Sequence, residues 1–529
     1  MSLPAKFVAV GLATLASRIG GFLRDALIAA LLGTGAVADA VFAAFLLPNL
    51  FRRMLTEGAF NAAFIPVFAR REATGGIESA KAFAGSVLKI LLLSLAALSV
   101  LAIVFMPQVV MLLVGGYHDD FAKFADTVLF SRIAFAYVVA ITLTAFFAAL
   151  LNSVRRYRLA AIVPVLFNLV LVVVLVSLLT FGTSDFRATG LIIVSLIALA
   201  GLVQLSFIVV VTLKERAAIR LDALARWNDP DVWRFALLLL PGVAVAGAGH
   251  VNMLVAVHLA SAEPASVSWL YYADRLFQLP LGLVATSIGI VMLPDIAKHM
   301  HDGDRDAQRS TFSRSLEFSF ALALPAAIAL ILLANPIVDV LYRHGSFMVS
   351  DMEATAAVLA ALAFGLPAFA LVKVFLPSFL AREQFRWPIA AALCAVAANV
   401  IVAKLLGRSA QFVAPAWGVT ASAWINASVL LFALVARGEF RLDQTARRVL
   451  PYILAVSAIT GFAIALLKLG LLLAFAGESR FVIKAGLLGL ACLVGVAVQG
   501  LGLSICGILD MHALVERWRK RKAATPSGV

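Results

Sequence analysis

The first 66 residues set charged side chains inside stretches that otherwise read as lipid-soluble. Ser17–Ala29 reads SRIGGFLRDALIA, and Asp39–Pro66 reads DAVFAAFLLPNLFRRMLTEGAFNAAFIP. Arg18, Arg24, Asp25, Asp39, Arg52, Arg53 and Glu57 all fall within them. An ionised Arg or Asp at mid-bilayer costs ~2.5–3.5 kcal/mol even on the lenient insertion scale, so such groups turn toward protein or a water-filled cavity. Arg is also the side chain best shaped to grip a phosphate or carboxylate, through two parallel N–H donors. The chemistry indicated is capture of an anion inside a membrane.

Helical spacing decides which of these charges share a face. Arg18 and Asp25 are seven residues apart and lie on one face two turns apart, whereas Arg24 points elsewhere on an ideal helix. Gly20-Gly21 between them leaves room for a bend or for a close backbone approach. In the second stretch Asn49, Arg53 and Glu57 follow i, i+4, i+8, so Arg53 and Glu57 are expected to pair within the helix. Arg52 is displaced by one position and is the better candidate for a cation facing the cavity. Pro48 removes a backbone hydrogen bond beside these charges and predicts a kink. Later in the chain, Asp274 and Arg275 interrupt the apolar run YYADRLFQLP, and Lys373 interrupts LVKVFLPSFL. Arg18, Arg24, Arg52 and Arg275 therefore form the expected anion-binding set, with Lys373 as a further cation. Asp25, Asp39 and Asp274 are available to offset part of that charge, and with Arg53 and Glu57 they are assigned to gating or charge pairing. His250 and Asn252 read as satisfied polar residues within the bundle.

These residues need helices to carry them. The chain has 529 residues, 63% of them hydrophobic and 14% charged, more apolar surface than a soluble domain of this length can bury. The class is an all-α polytopic membrane protein. Apolar runs long enough to cross ~30 Å of hydrocarbon fall at 7–32, 37–68, 84–114, 124–153, 159–180, 188–213, 232–260, 267–297, 313–333, 352–381, 387–406, 413–436, 449–473 and 481–509, fourteen in all. The opening MSLPAKFVAV reads as the start of the first retained helix, not as a removed signal peptide.

The net charge of +14 does not indicate nucleic acid. Basic residues cluster in alternate connections: Arg70/Arg71, Arg155/Arg156/Arg158, Lys214/Arg216/Arg220, Lys298/Arg305/Arg309, Arg382/Arg386, Arg437/Arg441/Arg447/Arg448 and Arg517–Lys522. The intervening Thr34–Val37, Gly115–Asp120, Thr180–Arg187 and Ser261–Ala265 are poor in them. This is positive-inside patterning, with both termini cytoplasmic. Topology and lipid-headgroup contact account for Arg70, Arg71 and the Arg155 cluster. Cys394, Cys492 and Cys506 lie in apolar segments and are expected to be buried free thiols.

FNAAFIPVFARR (Phe60–Arg71) echoes SIGIVMLPDIAKH (Ser287–His299), with Pro66 over Pro294. An offset of six helices makes the copies parallel, a common transporter plan. The expected organisation is two six-helix lobes, residues 1–220 and 221–440, joined by the basic 214–234 segment, followed by a terminal helix pair and basic tail at 441–529. No P-loop, HExxH, GxSxG or clustered metal ligands appear, so the chain reads as a transporter without cofactor or metal, not an enzyme. Its energy would be electrochemical, from the membrane potential or an ion gradient, or come from the substrate gradient.

Ser17–Ala29, the long motif at Asp39–Phe68 and VSWLYYADRLFQLPLGL (Val267–Leu283) closely resemble the MurJ/MviN family of lipid II flippases, within the multidrug/oligosaccharidyl-lipid/polysaccharide exporter superfamily. The resemblance spans essentially the whole chain. It implies a bacterial inner-membrane protein that moves the undecaprenyl-pyrophosphate-linked disaccharide-pentapeptide to the outer leaflet. It also implies a V-shaped pair of lobes around a cationic cavity, and a groove for the lipid tail formed by the last two helices. Positions matching residues important in the family are Ser17, Arg18, Arg24, Asp25, Asp39, Asn49, Arg52, Glu57, Ser268, Arg275 and Lys373. Lipid II and membrane lipids are the implied partners, with cell-wall synthesis proteins as further candidates and a monomer as the working unit. Gln278 departs from the acidic residue of some relatives. The eleventh helix, Pro388–Leu406, holds no Asp or Glu, and Asn252 and Asn399 are the polar residues left where some relatives bind sodium, which argues against a sodium site. The nearest alternative is a flippase for another undecaprenyl-pyrophosphate-linked oligosaccharide. A multidrug cation antiporter would want an acidic cavity, and a scaffold protein gives no reason to retain intramembrane arginines.

Overall fold

The computed structural model describes residues 3–56, 59–182, 185–215, 229–301, 305–380, 382, 384–474 and 481–506. Most of the basic linker, Glu57 and the basic tail Arg517–Lys522 lie outside the described residues. Helix dominates and no strand occurs among the described residues. The elements are α1 (Leu3–Leu32), α2 (Ala36–Thr56), α3 (Ala59–Leu113), α4 (Phe121–Ser153), α5 (Tyr157–Phe181), α6 (Phe186–Lys214), α7 (Pro230–Ala260) and α8 (Ser266–His301). They continue with α9 (Arg305–Leu332), α10 (Ala334–Tyr342), α11 (Val349–Ala363), α12 (Leu366–Leu380), α13 (Arg386–Ala410), α14 (Ala414–Ala436), α15 (Gln444–Ala474) and α16 (Phe481–Ile505).

Among the described residues, nine helical stretches are long and apolar enough to cross a membrane. The chain is an all-α, multi-pass membrane protein. α1 carries Arg18, Arg24 and Asp25 within its length, and α2 carries Asp39, Arg52 and Arg53. The expected run 352–381 is two helices, α11 and α12, separated by a turn in which Gly365 N donates to Leu362 O at 2.8 Å. α3 holds the end of one expected run and all of the next, and it breaks at Gly76, whose φ of 74° is left-handed. The three cysteines are free, but each is exposed and not buried, since the apolar surroundings they need are offered by the outside of a membrane helix as well as by a core.

The chain divides into two compact units. The first comprises Met1–Tyr272 with the returning segment Tyr342–Asp351. Within it α1 packs on α5, α2 on α4 and α7, and α4 on α3 and α6. Its aromatic core joins Phe60, Phe64, Phe68 and Phe83 of α3 to Phe146 of α4 and Phe235 of α7. Asp120, Asp185 and Asp229 cap the N-termini of α4, α6 and α7 through their carboxylates, with Pro230 opening α7.

The second unit comprises Ala273–Leu341 and Met352–Val529. Here α14 packs on α13 and α12, and α15 packs on α9 and α16. Gln499 of α16 is wholly satisfied within the apolar bundle: its Nε2 donates to Ala321 O and Ser457 Oγ, each at 3.3 Å, and its Oε1 accepts from Thr460 Oγ1 at 2.9 Å. These bonds tie the last two helices to α9, because an unsatisfied amide in hydrocarbon is expensive.

In the first unit the returning segment lies directly on the end of α1. Ser346 N donates to Ala30 O at 2.9 Å and Thr34 Oγ1 donates to Asp351 Oδ1 at 2.6 Å. Gly33 and Gly345 both have φ of 57°, and a Cβ on Gly345 would sit 2.3 Å from Ala30 O. Gly345→Ala is therefore expected to lower stability by about 1–3 kcal/mol. Gly407→Ala, in α13 with nothing within 4 Å, is expected to be neutral or stabilising. Thermal unfolding of the two variants in detergent checks both.

Candidate functional site

α1 and α5 pack closely enough for polar side chains of the two helices to hydrogen-bond. A Cβ on Gly20 would lie 3.1 Å from the Cβ of Asn168, so the glycine pair serves a close approach within one continuous helix. Asn168 Nδ2 donates to Ser17 O at 2.9 Å, to Ser17 Oγ at 3.3 Å and to Pro164 O at 3.2 Å. Its Oδ1 accepts from Arg24 Nη1 at 3.3 Å. Arg24 in turn donates from Nε at 2.9 Å and from Nη2 at 2.7 Å to a single oxygen of Asp25. Tyr271 Oη donates to that same oxygen at 3.4 Å and stacks on Phe42. Arg24, Phe42, Phe45, Ile197 and Tyr271 help to line a small, mostly apolar pocket.

The ideal-helix expectation set Asp25 on the face of Arg18 and turned Arg24 away. In the structure Asp25 pairs with its chain neighbour Arg24 instead, since a long guanidinium side chain can fold back along the helix surface. Arg18 is exposed and makes no hydrogen bond or ion pair among the described residues. On α2, Arg52 Nη2 donates to Asn49 Oδ1 at 2.9 Å. Arg53 Nη1 lies 3.4 Å from His250 Nδ1, and the expected Arg53–Glu57 pair lies outside the described residues.

Asp39 is wholly buried at the start of α2. Lys123 Nζ donates to its Oδ2 at 2.6 Å, as does Ala265 N at 3.1 Å. Ser268 donates to its Oδ1 from N at 2.9 Å and from Oγ at 2.5 Å. The carboxylate thus caps the N-terminus of α8 from another helix, where orphan N–H groups and the positive end of the helix dipole favour an anion. Lys123 Nζ also lies 3.9 Å from the centre of the Tyr117 ring. Tyr117 sits on the 3-10 turn Gly115–Asp119, where burial, and then the Asp39 carboxylate, pushes its phenol well above the ordinary value. Ser268, expected at the ligand, is fully buried with its hydroxyl committed to Asp39.

In the second unit Gln278 Nε2 donates to Asp274 Oδ2. Arg275 is half-buried, and Lys373 is exposed and has no partner among the described residues. Arg70 and Arg71, read from the sequence as topology and headgroup charges, form ion pairs in the first unit. Arg70 pairs with Asp231, and Arg71 with both Asp229 and Asp231 at the start of α7.

Two residues that organise this region went unread in the sequence. Asn168 is the one amide in the apolar run 159–180, a signal that was available. Lys123 stands one position before the apolar run at 124–153, where hydropathy gives no sign that it faces a buried carboxylate. With Lys123→Met the Asp39 carboxylate loses its buried counter-charge, and a loss of about 3–5 kcal/mol is expected. Adding Asp39→Asn to that variant is expected to recover part of the loss. A double-mutant cycle on thermal unfolding reads this, and strictly additive losses would show that the pair is not coupled.

The sequence model of the family described as "Lipid II flippase MurJ" matches residues 28–486. A Rhizobium meliloti (strain 1021) protein named "Probable lipid II flippase MurJ" is 39% identical over 465 residues, covering 88% of this chain and 86% of that protein. A Rhizobium tropici protein of the same name is 35% identical over 528 residues, covering 100% and 98%. A solved structure described as "Lipid II flippase MurJ, inward closed conformation" shares the fold with a TM-score of 0.76 at 23% identity, over 94% of this chain and 98% of that one. The chain belongs to the lipid II flippase MurJ family, whose named members are transporters and not enzymes.

Proposed function

We propose that this protein carries lipid II from the cytoplasmic to the outer leaflet of a bacterial inner membrane by alternating access, with intramembrane arginines engaging the pyrophosphate. The observation that carries the reading is the state of the charges on α1 and α2. Asp25 is engaged by Arg24 and Asp39 by Lys123, while Arg18 has no partner among the described residues and Arg52 hydrogen-bonds the neutral Asn49. Guanidiniums in such a setting suit a multiply charged phosphate, which can replace their hydration with paired N–H···O bonds. Arg18, Arg24 and Arg52, supported by Ser17 and Asn49, are the proposed contacts in the first unit, and Arg275 and Lys373 those in the second.

Both termini are proposed to be cytoplasmic, in line with the basic connections. The working unit is proposed to be a monomer. The proposed energy source is the membrane potential or an ion gradient. An inside-negative potential contributes ~2.3 kcal/mol per charge per 100 mV and favours outward movement of an anion.

Reconstituted vesicles with labelled lipid II test the reading against an undecaprenyl-pyrophosphate-linked glycan lacking the peptide. The expected result is flipping of lipid II in preference to the glycan. Equal flipping of both would assign the protein to a broader class of lipid-linked oligosaccharides. Arg52→Ala removes a charge-assisted bond worth about 1.5–3 kcal/mol, so affinity for the pyrophosphate lipid is expected to fall about 10- to 100-fold. Arg52→Lys should fall between the two. Growth of a flippase-depleted strain on correctly inserted Arg52→Ala protein at the unmodified rate would refute the role given to Arg52.

A further inference from the structure

Arg132, on α4, is exposed, and its one hydrogen bond among the described residues runs from Nε to Ile103 O of α3 at 3.0 Å. The four N–H bonds of its two terminal nitrogens meet no acceptor among the described residues. Exposed apolar side chains stand beside both ends of that bond: Leu129 one turn before Arg132 on α4, and Val100, Ile103 and Val104 around the acceptor on α3.

Depth follows from helical rise. The exposed apolar face of α3 runs from Leu92 to Leu112, about 30 Å at 1.5 Å per residue and so the full thickness of the hydrocarbon. Ile103 stands near its midpoint. On α4, Arg132 is six residues, about 9 Å, further along than Asp126, which pairs with Arg187 at the start of α6. The guanidinium is thus well inside the apolar layer, on an outer face of the bundle, and its Nε is turned to a mid-helix carbonyl in place of the interface.

We propose that the α3–α4 face around Arg132 is a docking surface for a transmembrane helix of another protein that carries an Asp or Glu near its own midpoint. A carboxylate accepts two parallel N–H bonds from the free end of the guanidinium and neutralises it where water is absent. The surrounding apolar side chains suit a helix surface. A lipid phosphate stays at the interface, above this level. A second copy of this chain, related by a two-fold axis, would set Arg132 against Arg132.

The test uses the full chain, donor-labelled, in phosphatidylcholine vesicles, with acceptor-labelled single-span poly-leucine peptides that carry either one central Glu or none. Energy transfer is expected to report at least tenfold stronger association of the Glu peptide, and Arg132→Leu is expected to remove that preference. Equal association of both peptides with the native chain overturns the proposal without recourse to any variant. So does a preference that survives in Arg132→Leu. Enrichment of spin-labelled phosphatidylglycerol that depends on Arg132, with no preference for the Glu peptide, assigns the site to a lipid headgroup and overturns it as well.

Discussion

A carboxylate cut off from water must be neutralised by protein, and the arrangement of the first unit follows from how Asp39 meets that demand. Its partners come from two separate parts of the chain: Lys123 at the start of α4, and the opening of α8, where Ser268 and the backbone N–H of Ala265 donate to it. Each of those bonds fixes the axial position and rotation of α2. Arg52 stands thirteen residues further along the same helix, about 20 Å away and rotated to the opposite side. Anchoring one end of α2 through Asp39 therefore decides where Arg52 and Asn49 are presented at the other.

α1 is set by the same kind of constraint with weaker parts. Gly20 and Gly21 let α5 come near, and Asn168 then links the backbone of Ser17 to the Arg24 guanidinium. Because Arg24 pairs with Asp25, each charge offsets part of the desolvation cost of the other inside an apolar bundle. Arg18, seven residues before Asp25, has no such partner among the described residues. The charges of the opening segment thus include groups that join one helix to another, such as Arg24 and Asp39, and one, Arg18, that meets no partner among the described residues.

Much of the architecture could be read without coordinates. Hydropathy alone marks apolar runs wherever the described residues form long helices, because each such helix must be apolar along its own length to cross hydrocarbon. Discrepancies arose where a local rule met a distant partner. Arg70 and Arg71 obey the loop-charge pattern, yet Asp229 and Asp231 engage them from about 160 positions away in sequence. Cys394 sits in an apolar run and is nevertheless exposed, since composition does not tell the lipid face of a helix from its packed face.

The amino-acid sequence by itself determined that the chain is a bundle of membrane helices and that arginines stand inside them, and its motifs pointed to the family. Those properties are encoded residue by residue, in hydropathy and in side-chain type. Only the tertiary structure decided which charges are already matched. Asp39 and Lys123 are 84 residues apart, Arg24 and Asn168 are 144 apart, and Asp39 and Ser268 are 229 apart. Coulombic and hydrogen-bonding partners are chosen by distance in space, over a few ångströms, and helical periodicity carries no information about which helices become neighbours.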